Sequence, residues 1–302
     1  MTLKKYRAAV LAFCMALFLA GCRMQGEATG TEKDDLKGID IEEKDGKEVY
    51  SFEDKAGRQY EAELLADVPR CTYDFSYLKT DKKTGYKHYT DEENGVSSRV
   101  GIDVSEFQGE EIDWKKVKAS GVEFVIIRLG YRAYGENGEL VMDDMYEKNV
   151  KEAQDAGLEV GVYFFSQAIS PAEAVEEAEY VLKHIRGYDI DGPVVYDTED
   201  IEYSDARTDR NTRQEFTNYC KVFCDTIESG GYEPMIYSNM KWMARTLIME
   251  ELTDYDFWYA DYHAVPQCPY KYKIWQYSET GEVPGITGGV NLNLWFQEDE
   301  EE

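Results

Sequence analysis

Val195-Tyr196-Asp197-Thr198-Glu199-Asp200 reads as an apolar strand ending on carboxylates, and the segments on either side of it decide the fold. Upstream, Ser170-Pro171-Ala172-Glu173 supplies an N-cap, a proline at the first helical position and a capping-box glutamate. Val175, Ala178, Val181, Leu182 and Ile185 then make one helical stripe. Downstream, Phe216, Tyr219, Phe223 and Ile227 mark another helix, closed by Gly230-Gly231. Working outward, strands are expected at 100–108, 124–129, 160–165 and 235–237. Helices are expected at 114–119, at 143–156 with Gly157 as its stop, and at 242–252. Beyond 252 the helices thin out and three further strands follow, at 257–262, 274–277 and 292–296. Strands alternating with helices define an α/β chain. Eight strands, of which the last lack helices, point to an irregular, TIM-like β/α barrel. The competing open doubly wound sheet would carry a Gly-rich phosphate loop after an early strand, and this chain has none.

The first residues read as an address. Lys4, Lys5 and Arg7 precede an apolar run from Ala8 to Ala20, too short for a comfortable membrane span. The run ends in Leu19-Ala20-Gly21-Cys22, which resembles a bacterial lipoprotein processing site and implies cleavage before Cys22 and a lipid on its thiol. The expected organisation is a signal peptide at 1–21, a polar tether at 22–45, and a small β-rich region at 46–99. The barrel follows at 100–297 and a solvated acidic tail at 298–302. Within the β-rich region, Val49-Tyr50-Ser51-Phe52 and Tyr60-Glu61-Ala62-Glu63-Leu64 alternate like a hairpin around Lys55-Ala56-Gly57. A second hairpin is expected around Thr84-Gly85.

Among the 302 residues, 33 Lys and Arg stand against 61 Asp and Glu, a net charge of −28. Such a chain has no electrostatic hold on DNA or RNA. The acidity is concentrated after Val100, with 17 basic and 42 acidic residues. Three His and no C-x-x-C pair argue against a structural zinc site, and no cofactor is expected. Cys220 and Cys224, four apart on a helix, read as buried thiols; Cys71 and Cys268 are candidates to pair in an oxidising compartment.

In a barrel the working face lies at the C-terminal ends of the strands. Asp197 and Glu199, two apart, project from one face about 6.5–7 Å apart along the backbone. Asp103, at the end of the first strand, is placed to point into the same opening. Three converging carboxylates fit glycoside hydrolysis, where one donates a proton and another stabilises positive charge at the sugar. They also fit a divalent cation, or simply solvated acids at a strand end.

The same residues carry a resemblance. Gly101-Ile102-Asp103-Val104-Ser105, Gln108-Gly109 and Ile112-Asp113-Trp114 resemble the opening of the glycoside hydrolase family 25 lysozymes, the Chalaropsis-type muramidases. The likeness continues through Phe124-Val125-Ile126-Ile127-Arg128, Val160-Gly161-Val162-Tyr163-Phe164, Asp197-Thr198-Glu199 and Ile236-Tyr237-Ser238. Trp258-Tyr259-Ala260-Asp261-Tyr262 and Ile274-Trp275-Gln276-Tyr277-Ser278 complete it. It implies cleavage of the β-1,4 bond between N-acetylmuramic acid and N-acetylglucosamine in peptidoglycan, with Glu199 as general acid. Asp197 would orient or charge-stabilise the substrate's 2-acetamido group, and Asp103 would support that arrangement. One departure stands out: where the family usually has Val-Asp-x-Asn, this chain reads Val290-Asn291-Leu292-Asn293. An aspartate at 291 would add a negative charge near the other acids and raise a neighbour's pKa, so Asn291 is expected to lower the alkaline limit of activity.

Tyr163, Tyr237, Tyr262, Trp275, Gln276 and Asn291 are the candidates to line a sugar groove, the aromatic ones being equally suited to barrel core. The expected partners are peptidoglycan strands and, through the lipid, a membrane, with the protein acting as a monomer. The rival readings are a chitinase-like endo-hydrolase, which also carries D-x-E at the fourth strand, and a non-catalytic glycan-binding lipoprotein.

Overall fold

A computed structural model describes residues 39–201 and 205–299; the lipoprotein-like site at Cys22 and the end of the acidic tail lie outside them. Three strands come first: β1 (Ile41–Lys44), β2 (Lys47–Glu53) and β3 (Gln59–Glu63), an antiparallel sheet of their own. β4 (Leu78–Thr80) and β5 (Lys87–Asp91) form the second expected hairpin. The barrel strands are β6 (Val96–Val104), β7 (Phe124–Arg132), β9 (Glu159–Phe165), β10 (Val194–Asp197), β11 (Pro234–Asn239), β12 (Asp256–Ala260), β13 (Ile274–Gly281) and β14 (Val290–Glu298), with the short β8 (Leu140–Met142) flanking β7. They pair in the ring order β6-β7-β9-β10-β11-β12-β13-β14, and β14 returns to β6 to close it. All pairings in the ring are parallel except those of β14, which runs antiparallel to both neighbours. The expected eight-strand barrel is therefore present, as a closed mixed barrel.

Its helices are α1 (Trp114–Ala119), α2 (Tyr146–Asp155), α3 (Pro171–Ile185), α4 (Arg213–Ser229) and α5 (Met240–Arg245). Ser170 caps α3 as expected, accepting from the Glu173 N–H. The Glu173 carboxylate, however, does not close the box: it accepts from Ile169 N–H at 2.9 Å and pairs with Arg207 at 2.8 Å. The full capping box belongs to α4, between Thr212 and Glu215. The helix expected over 242–252 is shorter, because α5 ends at Arg245.

The barrel interior is filled by Phe124, Ile126, Val195, Met235, Trp258, Ile274 and Trp295. The fit is close: a Cβ on Gly101 would sit 2.2 Å from the Phe124 ring, so only glycine leaves that ring its place. Outside, helices cover the first strands. Where helices are missing, the N-terminal extension takes their place. Tyr73 stacks on Phe296 at 4.1 Å, Tyr50 meets Tyr270 edge-on at 6.1 Å, and Tyr89 meets Phe296 at 5.3 Å. Each such buried ring contributes about 1.5–3 kcal/mol of hydrophobic stabilisation. The run Ile41–Lys44, counted above with the tether, is the outer strand of this covering sheet. Cys71, Cys220, Cys224 and Cys268 are all buried free thiols. Among the described residues no helix is long and apolar enough to cross a membrane.

Candidate active site

Asp103 and Asp197 lie at the C-terminal ends of β6 and β10 and are buried, each 5% exposed. Glu199 lies two residues beyond the end of β10, partly exposed at the barrel mouth. Asp103 lies near enough to both for its charge to disfavour ionisation of Asp197 and Glu199.

Asp103 is held by amides from β13 and β14, the two strands that close the ring onto β6. Asn293 and Gln276 donate to Oδ2 at 2.9 and 2.8 Å, and Asn291 donates to Oδ1 at 2.9 Å. These donors are themselves fixed. The Trp258 indole N–H donates to the Asn293 carbonyl at 2.8 Å. The Tyr237 and Tyr262 hydroxyls donate to the Gln276 carbonyl at 3.0 and 2.7 Å. Because an indole can only donate, it sets the orientation of the Asn293 amide and turns its NH₂ toward Asp103. Burial pushes the Asp103 carboxyl above its usual range while the three amides pull it down.

Asp197 has no such support. Its Oδ1 is buried without a hydrogen-bond partner among the described residues, and such an orphan is costly unless something is meant to meet it. Burial first, then repulsion from Glu199 and Asp103, pushes the Asp197 carboxyl well up, against the pull of Arg128. Burial likewise pushes Glu199 up to about 7, and the strongest opposing charge on it is Lys55. A glutamate raised to about 7 keeps a substantial protonated share at neutral pH, which is the state a general acid requires.

The groove candidates separate. Tyr237 and Gln276 face the barrel mouth through the network above, and Tyr262 stands at the rim, 36% exposed. Tyr163 packs edge-on against Trp258 at 6.0 Å, on the floor of the opening. Trp275 faces the other way. It is fully buried on the outer side of the barrel, its indole N–H donating to the Asp261 carbonyl at 2.7 Å and Phe75 packed against it. Neighbours on a strand face opposite sides, so a lumen-facing Gln276 requires an outward Trp275; it is not a groove residue.

Three positions that bear on this cluster were not singled out from the pattern. Asn293 was legible as the residue two after Asn291, hence on the same face. Arg128, whose guanidinium is held by Asp143 at 2.7 Å, was legible as a cation inside an otherwise apolar strand. Lys55 had no local signal. Among the described residues no group of three or more His, Cys, Asp or Glu side chains is arranged to hold a metal ion. A cavity of about 430 Å³ lined by Arg99, Glu123, Glu159 and Asp191 lies at the opposite ends of the strands, away from the carboxylates.

Comparison with known proteins places this arrangement. The family model for glycosyl hydrolases family 25 matches residues 102–286. The uncharacterized protein YegX of Escherichia coli is 27% identical over 244 residues, 77% of this chain and 85% of that one. The autolytic lysozyme of Clostridium acetobutylicum is 29% identical over 195 residues, 64% of this chain and 54% of that one. Among solved structures, the modular autolysin LytC of Streptococcus pneumoniae in complex with a synthetic peptidoglycan ligand superposes with a TM-score of 0.59. It has 23% identity over 85% of this chain and 58% of that one, a likeness of fold.

Proposed function

The chain belongs to glycosyl hydrolases family 25, and from that membership we propose a peptidoglycan hydrolase that cuts the β-1,4 bond between N-acetylmuramic acid and N-acetylglucosamine. Glu199 donates its proton to the glycosidic oxygen. Asp197, with one oxygen lacking a hydrogen-bond partner among the described residues, receives the N–H of the substrate's 2-acetamido group, whose carbonyl attacks the anomeric carbon. Positive charge builds on that group in the transition state, and the buried carboxylate is already in place to meet it. Asp103, fixed by Asn291, Asn293 and Gln276, supplies a further oriented negative charge. Tyr163, Tyr237, Tyr262 and Gln276 line the groove.

The observation that carries this reading is the Asp197 oxygen, unpartnered among the described residues, two positions before a glutamate raised to about 7. The test is release of new reducing ends from purified peptidoglycan and from chitin. Wild-type protein is expected to act on peptidoglycan, and Glu199→Gln to lose about 10²–10⁴-fold while melting like the wild type. A variant retaining more than about a tenth of the rate would remove Glu199 from the role. Preference for chitin would favour the chitinase-like reading.

The organisation that accompanies this function is a signal peptide at 1–21, a lipid on Cys22, a tether to about 40, the β-rich region from there to 99, the barrel at 100–297 and the tail at 298–302. The protein would act as a monomer outside the cytoplasm, held at the membrane within reach of the wall. The lipoprotein-like sequence before Cys22 supports this reading.

A further inference from the structure

The β2–β3 hairpin lies outside residues 102–286, the stretch that matches the family, yet its tip reaches the catalytic opening. Its turn is rigidly built. The Asp54 carboxylate accepts from the Ala56 and Arg58 N–H groups at 2.9 and 3.0 Å and from the Tyr60 hydroxyl at 3.0 Å. Gly57 takes a φ of +77°, which a side chain would resist. The hairpin is also clamped to the barrel. The Gln267 side chain accepts from Glu53 N–H at 2.9 Å and donates to Glu53 C=O at 3.1 Å. His263, bonded to Asp261 at 2.6 Å, lies 3.7 Å from the Glu53 carboxylate.

The residue this turn presents is Lys55. Its ammonium sits 5.5 Å over the ring of Tyr262, the rim tyrosine bonded to Gln276 and through it to Asp103. It is paired with Glu279, at the exposed end of β13, and its side chain is 67% exposed. Of the charges acting most strongly on Glu199, Lys55 is the cation and Asp103, Asp200 and Glu279 are anions; Lys241 pairs with Asp200, and Arg128 acts on Asp197 deeper in the barrel. A groove so acidic repels an anionic strand unless a cation is placed to receive it. Lys55 is that cation. It is accessible and mobile on its stem, and Glu279 already shows that a carboxylate fits its position.

We propose that the β2–β3 hairpin is a wall of the substrate groove and that Lys55 exchanges Glu279 for a carboxylate of the bound glycan strand, beside the scissile bond. The inference rests on the peptidoglycan reading for its substrate. Two sources carry that chemistry: the stem-peptide carboxylates, and the lactyl carboxylate bared when the peptide is removed.

The experiment is binding of the full chain to insoluble peptidoglycan, read by co-sedimentation, on four matrices. These are native material, material whose carboxylates are coupled to methylamine, peptide-stripped glycan, and stripped glycan neutralised in the same way. Lys55→Met should bind native peptidoglycan about three- to fivefold more weakly, Lys55→Arg should restore binding, and Lys47→Met, on the same hairpin, should change nothing. Wild type and Lys55→Met should bind the methylamine-coupled material equally. A Lys55 effect on stripped glycan that neutralisation abolishes assigns the lactyl carboxylate; its absence there assigns the stem peptide. A second readout is the alkaline limb of hydrolysis, which should move to higher pH in Lys55→Met and stay in Lys55→Arg. An equal loss for Lys55→Met on native and neutralised matrices, or no loss on either, overturns the proposal. Because binding is read without turnover, a wild-type protein that binds but cuts nothing would refute the hydrolytic reading alone.

Discussion

Asn291→Asp restores the acid that the resembled family carries and places it against Asp103, where the Asn291 amide now donates at 2.9 Å. Two ionised carboxylates at that separation repel by about 6 kcal/mol at an effective dielectric of about 20, equivalent to about four pKa units. Residue 291 is only half buried, so this is an upper limit. The pair therefore keeps one shared proton at neutral pH, so the substitution brings no second charge there. The extra negative charge expected from the sequence is then missing, and the alkaline limb should move by no more than about 0.3 units. The cost falls on stability instead. The folded pair's second ionisation lies above the unfolded value of about 3.9, so stability is full below that pH and is lost as pH rises toward the folded value. The loss relative to wild type is about 1.4 kcal/mol per pH unit, about 3 kcal/mol by pH 6. That corresponds to a melting temperature roughly 5–10 °C lower at pH 6, with the two proteins nearly matched at pH 4. Thermal melts from pH 4 to 7 measure this. Curves that stay parallel would show that position 291 does not face Asp103, and a limb shifted by a full unit would show that both acids are charged.

Glu199 acts protonated and its carboxyl is raised to about 7, so activity on peptidoglycan should be sustained in acid and fall as pH rises through about 7; a rate still climbing at pH 9 would contradict this. Arg132→Met should destabilise by about 1–3 kcal/mol at neutral pH, because it removes the buried guanidinium that bonds the Glu177 carboxyl at 2.7 Å. Burial already pushes Glu177 up to about 7. Removing the cation raises it further, so the deficit should shrink toward acid pH in denaturant melts. Cys22→Ser should move the protein from the membrane fraction to a soluble or unprocessed form, as followed by fractionation and mass spectrometry; continued lipid attachment would refute the lipoprotein assignment.

The eight barrel strands were legible because each is a short apolar run set between helix stops and caps, as with Gly157 after α2 and Ser170-Pro171 before α3. The three acids proposed for catalysis were legible because acids at the ends of such strands have no packing role. The direction of Trp275 was not. Strands covered on both faces are apolar throughout, so alternation is silent there, and only the Gln276 contact to Asp103 resolves it. The capping pattern at Ser170 was read correctly for the cap and not for Glu173, whose partner Arg207 lies 34 residues away. Lys55 was hidden for the same reason. Its turn is local, but its neighbours Tyr262 and Glu279 are distant in the chain, and charge alone does not show where a hairpin docks. The aromatic richness of residues 50–89 has its explanation in the barrel: these rings stand where helices would otherwise cover β12 to β14.

The central claim concerns which bond is cut and which carboxyl protonates it. The most direct measurement is the identity of the reducing sugar in products released from purified peptidoglycan, by borohydride reduction and mass spectrometry, for wild type and Glu199→Gln side by side. The account predicts reduced N-acetylmuramic acid from the wild type and almost none from the variant. Reduced N-acetylglucosamine, or undiminished release by Glu199→Gln, would contradict it.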